Sequence, residues 1–184
     1  MRISVHDCIM SRAKSIPDKD VLKLVLSHLL AGGDKAVSFA SVSAICDLAP
    51  PTLVQRYRTR DLMVKSALTA AWDDLDAITL VASDDAFVSA KGAQAMLKDI
   101  TASVDIPALL AESHRDKDLN LRATQWRSKL EASLGDRLGG GTRGREAGAL
   151  MFAAWQGRQM WDATGGKSFR LGEALRRLAD QRAM

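Results

Sequence analysis

Between residues 18 and 31 the apolar positions Val21, Leu24, Val25 and Leu29 recur at three- and four-residue steps, which places them on one face of a helix. Pro17 followed by Asp18 and Asp20 marks the start, with acid in the first turn where the helix dipole favours it, and Gly32-Gly33 supplies a left-handed stop. A shorter helix is predicted over 38–45, capped by Ser38, with Val42 and Ile45 facing inward. Asp47-Leu48-Ala49-Pro50-Pro51 reads as a turn. Pro50 then suits the first position of a third helix, 50–57, because the amide hydrogen it lacks has no partner there. Thr59 is a cap for a long fourth helix, whose Leu62, Val64, Leu68, Ala71, Leu75 and Ile78 form one stripe over about five turns.

Further along, helical spacing predicts elements over 84–103, over 106–114 after Asp105-Ile106-Pro107, and over 118–137, the last with a stripe of Ala123, Trp126, Leu130 and Leu134. Gly139-Gly140-Gly141 breaks the chain. A helix over 143–163 follows, with Ala147, Leu150, Met151, Ala154, Trp155 and Trp161 on one side, and Gly165-Gly166 ends it. A final helix over 168–182 carries Leu171, Ala174, Leu175 and Leu178 on one face. With four prolines, much Ala and Leu and no runs of β-branched or aromatic residues, the expected class is all-α. No internal repeat or low-complexity tract interrupts it.

The 184 residues are 47% apolar, 26% charged and 5% aromatic, an ordinary globular composition for a chain long enough to bury roughly two-thirds of its unfolded surface. No uncharged stretch, Ala36 to Cys46 included, approaches the roughly 18 apolar residues of a membrane span, and no charged segment leads into an apolar signal region. Neither a membrane protein nor a secreted precursor is expected. Two cysteines, Cys8 and Cys46, make no disulfide framework, which fits a reducing, cytoplasmic setting. The net charge of +4 is unevenly spread: residues 1–70 hold ten Lys and Arg against six Asp and Glu, whereas the remainder balances at sixteen each. Such asymmetry is what a nucleic-acid-facing segment on a neutral body would show, and also what chance can produce.

Two short helices joined by a tight turn, the second opening on proline, describe a helix-turn-helix whose second helix can enter the major groove of DNA. Within the run from Val37 to Met63, Ser38 opens the first of these helices, Pro51-Thr52-Leu53 opens the second, and Tyr57 and Arg60-Asp61-Leu62 follow. Over residues 18–75 this pattern resembles the tetracycline-repressor (TetR) family of bacterial regulators. The resemblance implies a DNA-binding unit over 1–60 and a helical regulatory and dimerisation domain over 61–184. It also implies a homodimer that acts on a palindromic double-stranded operator, most simply as a repressor, and a small effector enclosed by the second domain. Three positions depart from the pattern: Asp47 replaces the turn glycine, Ala49 the capping serine and Val54 the tyrosine. They keep a rival open, a helical interaction or ligand-sequestering protein whose DNA-binding head has decayed.

Gln55 and Arg56 are the expected base readers, since Gln pairs bidentately with adenine and Arg with guanine. Ser38, Thr52 and Arg60 are placed for phosphates, and Pro51 lies beside them at the helix start. Arg56 also reads as a solvated charge, and Tyr57 as a packing residue with its hydroxyl at the rim. An apolar or aromatic effector would meet Met96, Trp126, Met151, Phe152 and Trp155, with Phe87 and Trp161 as further candidates; the same side chains also read as core. The stripes over 143–163 and 168–182 are the expected dimer surface. Gly166-Lys167-Ser168 lacks the upstream glycine of a phosphate loop, since Trp161 stands there, and His6, His28 and His114 lie in separate segments without metal-type spacing. Asp73, Asp74, Asp76, Asp84 and Asp85 read as solvated acids and Cys46 as a core thiol. No catalytic group, metal or cofactor is expected, and the chain does not read as an enzyme.

Overall fold

The computed structural model describes residues 16–84 and 90–165, with 170, 172, 173 and 177. Among them every element is helical: α1 (Asp18–Gly32), a single 3-10 turn (Asp34–Ala36), α2 (Phe39–Cys46), α3 (Pro50–Tyr57), α4 (Arg60–Asp84), α5 (Ala90–Ser103), α6 (Ile106–Ser113), α7 (Lys117–Arg137), α8 (Gly141–Trp161) and a closing 3-10 turn (Asp162–Thr164). The all-α expectation holds. Caps set many of these ends. Asp105 accepts from the Ala108 amide at 3.0 Å to open α6, and Asp116 accepts from the Asp118 and Leu119 amides to open α7. Leu62 N donates to the Thr59 hydroxyl at 3.2 Å, as expected for a cap of α4.

Two inward-facing expectations fail, at Ile45 and Leu62. α2 buries Val42 and Cys46, four residues apart, which turns Ile45 about 100° away from the core and leaves it exposed. On α4 the expected stripe holds at Val64, Leu68, Ala71 and Leu75, which are buried together with Met63, Ala67, Trp72 and Thr79, and only Leu62 lies outside it. On α8 the buried row is Gly144, Gly148, Met151 and Trp155. Glycine escapes a search for apolar side chains; of the expected stripe Met151 and Trp155 are buried, while Leu150 and Trp161 are exposed on a single chain, on the face the sequence marks as a dimer surface. Of the helix expected over 84–103, α5 spans Ala90–Ser103, Asp84 ends α4, and residues 85–89 lie outside the described residues. Phe87, Leu171, Ala174, Leu175 and Leu178 lie outside the described residues.

One continuous core begins with Val21, Val25 and Leu29 of α1, meets Val42, Cys46 and Leu53, and passes along α4 to Leu97, Ile100, Leu109, Leu130 and Leu134. Cys46 is buried, as the core-thiol reading expects. At its far end Trp72, Trp126, Phe152 and Trp155 form an aromatic cluster with ring centroids 5.7 to 6.5 Å apart. The three tryptophans in it satisfy their indole N–H in one recurring way. Trp72 donates to Ser113, Trp126 to Thr79 and Trp155 to Thr101, at 2.9 to 3.0 Å, and each hydroxyl in turn donates to the carbonyl four residues back in its own helix. The large rings are thereby buried without an orphaned donor.

At their glycines α7 and α8 meet backbone to backbone. A Cβ on Gly148 would stand 2.5 Å from the Glu131 carbonyl and 2.7 Å from the Gly135 amide, and one on Gly144 would stand 2.6 Å from the Gly135 carbonyl. Only glycine permits this approach. Charges tie the pair to α4: Arg122 contacts Asp73 and Asp76, Lys129 contacts Asp76 at 3.3 Å, and Lys65 contacts Asp116 and Asp118 at 2.9 and 2.7 Å.

Candidate nucleic-acid interface

The turn between α2 and α3 is built by Asp47, whose φ of 54° and ψ of 31° are left-handed. Asp is one of the few residues that enters this region routinely, so the replaced glycine costs the turn little. Ser38 does more than cap α2: its hydroxyl accepts from the Ser41 amide at 3.0 Å while the Ser41 hydroxyl accepts from the Ser38 amide at 2.9 Å, a reciprocal capping box. α3 has Pro50 at its first position and Ala49 before it, with no side-chain cap.

Of α3, Leu53 and Tyr57 are buried in the core, and the opposite ridge is open. Pro51, Val54, Gln55 and Arg58, spaced as one helix face, are all exposed, and Thr52 is half-buried beside them. Arg58 ends the helix with φ 67°, its amide bonded to the Val54 carbonyl at 2.8 Å. Among the described residues its guanidinium has no ion-pair partner. Sequence reasoning passed over it, although its position seven residues after Pro51 is the signal that would have found it.

The two arginines singled out from the sequence are placed differently. Arg56 turns back to α1, where Nη1 donates to the Ile16 carbonyl at 2.9 Å and to Asp18 Oδ1 at 3.0 Å. The Tyr57 hydroxyl donates to the same carboxylate oxygen at 3.3 Å. Burial and the Asp18 charge push the Tyr57 phenol up to about 12, so it is neutral at all ordinary pH. Asp18 therefore does more than complement the helix dipole: it fastens α3 to α1, a long-range pairing that no local spacing reveals. Arg60, at the start of α4, donates through Nε to the Val37 carbonyl at 3.0 Å and through Nη2 to Asp34 Oδ1 at 2.6 Å, and also reaches the Asp34 carbonyl and Asp61. The Asp34 carboxylate raises the guanidinium pKa above its usual value. This side chain joins α4 to the corner before α2.

Of the effector candidates, Met96, Trp126 and Met151 are fully buried and Phe152 is half-buried in the aromatic cluster, while Trp155 closes that cluster and also lines an open cleft of about 780 Å³ between α5 and α8. Trp161, the further candidate, projects into solvent.

A search of solved structures finds a crystal structure at 1.54 Å of a Mesorhizobium loti MAFF303099 protein provisionally assigned as a TetR-family transcriptional regulator, with a TM-score of 0.56 over 89% of this chain and 91% of the other. The fold is that of a TetR-family regulator. Sequence identity to that protein is 14%, so the likeness is one of architecture. No protein-family model matches the sequence, and no curated protein does. Among the described residues no helix is long and apolar enough to cross a membrane.

Proposed function

We propose that the chain is a ligand-responsive, DNA-binding transcriptional regulator of the TetR family, a cytoplasmic homodimer that represses from a palindromic operator and catalyses no reaction. The observation that carries the reading is the exposed ridge of α3, with Gln55 and Arg58 presented by a left-handed turn on a fold shared with a TetR-type protein. Gln55 reads a base edge. Thr52, Ser38 and Arg58 contact phosphates, with Pro51 setting the approach of the helix start. Arg56 and Arg60 hold the recognition helix and α4 in place through Asp18 and Asp34 and add positive potential beside the backbone. A unit over 1–60 then binds DNA and 61–184 senses a small apolar or aromatic molecule, with α4 as the shared rod. Effector binding tilts α4, and Arg60 transmits the tilt to the head, altering the spacing of the two recognition helices relative to successive major grooves. The exposed Leu150, Met160 and Trp161 of α8 support pairing of two copies along this helix.

The test is selection of bound sequences from a random DNA pool, followed by titration at several salt concentrations. A two-fold symmetric site, bound with an affinity that falls steeply with salt, is expected. Gln55→Ala should relax preference at one base pair in each half-site, and Arg58→Ala should lower the logarithmic salt slope by about 1 on every sequence alike. Light scattering should give a dimer at micromolar concentration. The second reading, a decayed head on a ligand-binding or interaction module, draws on the uncapped Ala49 and on Arg56 and Arg60 being engaged within the chain. Failure to enrich any sequence, with the fold intact, would select it.

A further inference from the structure

The cleft between α5 and α8 has an apolar floor and a polar end. Leu97 and Val104 line it with the ring of Trp155, whose N–H is already spent on Thr101 at 3.0 Å, so the indole offers the cleft an apolar face. At the α8 end lies Gln159. Its Nε2 is shielded from solvent and has no hydrogen-bond partner among the described residues. A buried amide donor left unpaired is costly, and its persistence at the wall of a cleft is explained when a bound molecule supplies the acceptor.

Charge narrows the choice of molecule. Lys98 and Arg158 border the same cleft, and neither has an ion-pair partner among the described residues. Two carboxylates also border it. Asp105 is engaged as the cap of α6, accepting from the Ala108 amide at 3.0 Å, which leaves Asp162 on the exposed rim. An anionic acceptor placed at Gln159 meets two unpaired cations and one exposed acid. A volume of about 780 Å³ is in the range of small-molecule sites.

We infer that this cleft binds an apolar carboxylate, its hydrocarbon or aromatic body on Leu97, Val104 and Trp155 and its carboxylate accepting from Gln159 Nε2 between Lys98 and Arg158. The site gives the effector of the regulator reading a chemical class and depends on that reading only for its regulatory meaning. Because the molecule would touch both α5 and α8, it would reinforce the contact that Trp155 makes with Thr101.

Calorimetric titration of the full-length protein with decanoate, decanol and decyltrimethylammonium tests the site without reference to DNA. Decanoate should bind once per chain, about tenfold more tightly than decanol, and the cation should not bind. Gln159→Leu should weaken decanoate about tenfold while leaving the melting temperature equal or higher, because it removes the unpaired donor rather than a packed group. Replacing both cations, Lys98→Gln with Arg158→Gln, should bring decanoate and decanol to the same affinity. Equal binding of acid and alcohol by the parent, no binding of decanoate, or unchanged decanoate affinity in Gln159→Leu would each overturn the proposal. A parallel operator titration separates the two readings. If decanoate binds as described and operator affinity does not move, the site stands and its effector role falls; if decanoate fails while salt-dependent operator binding persists, the site falls and the regulator reading stands.

Discussion

The two ends of the molecule are held in opposite ways. In α1 to α3 the elements are short, two of them eight residues each, and their mutual orientation depends on polar groups at their edges: Asp18 takes both Arg56 and Tyr57, and Asp34 takes Arg60. In α7 and α8, each 21 residues long, orientation is set by backbone resting on backbone at Gly135, Gly144 and Gly148. An edge clamp can be released one hydrogen bond at a time, at about 1 kcal/mol each, and the chain survives. A backbone contact has no such intermediate. The end proposed to meet DNA is thus the adjustable one, and the far end is fixed.

Gly148→Val attacks the fixed end and should have the largest effect. The new side chain has to displace the Glu131 carbonyl and the Gly135 amide, and a loss of about 3 kcal/mol is expected from the shift in the urea midpoint. Parent-like stability would mean that the seam gives way as easily as the clamps. Asp18→Ala attacks the adjustable end. It frees Arg56 and Tyr57 together, and because the carboxylate is largely solvent-exposed the expected cost is only about 1 kcal/mol. A double-mutant cycle with Arg56→Ala isolates the clamp, and a coupling near zero would show that α3 is held by Leu53 alone.

Two smaller effects sharpen the contrast. Tyr57 holds its proton more tightly in the folded state than in the unfolded chain, so the stability it contributes is fully present below pH 10 and is lost as pH rises through about 12. Urea midpoints should therefore fall across that interval in the parent more than in Tyr57→Phe, and parallel curves for the two proteins would remove Tyr57 from the account. Ala49→Ser restores a side-chain acceptor at the start of α3. It should stabilise the protein by about 0.5 to 1 kcal/mol, read as a higher thermal midpoint, provided the backbone of Ala49, at φ −61° and ψ 140°, remains in its present extended conformation.

What the sequence disclosed follows the same division. Helix ends at Pro17, Ser38, Pro50 and Gly140 were legible because caps and breakers act on neighbours within a few residues, and the stripe of Ala123, Trp126, Leu130 and Leu134 was legible because every member carries an apolar side chain. The candidate interface was legible as a segment but less so in its individual roles. Arg56 and Gln55 are adjacent in sequence, yet the exposed ridge holds Gln55 while Asp18, 38 residues away, takes Arg56. On α8 the stripe marked Met151 and Trp155 but not Gly144 and Gly148, which have no side chain to mark. Gln159 gave no signal at all, since an unpaired donor exists only with respect to its surroundings.

The glycine seam also restricts where the molecule can change shape. Sliding α8 along α7 by one residue would bring a Cβ to each point where Gly144 and Gly148 now clear the opposing backbone. The pair therefore has one register, like a ratchet with a single tooth, and neighbouring registers are closed by sterics rather than by lost attraction. Any switching motion in this fold has to be accommodated by the helices from α1 to α6, while α7 and α8 travel as one inflexible plank.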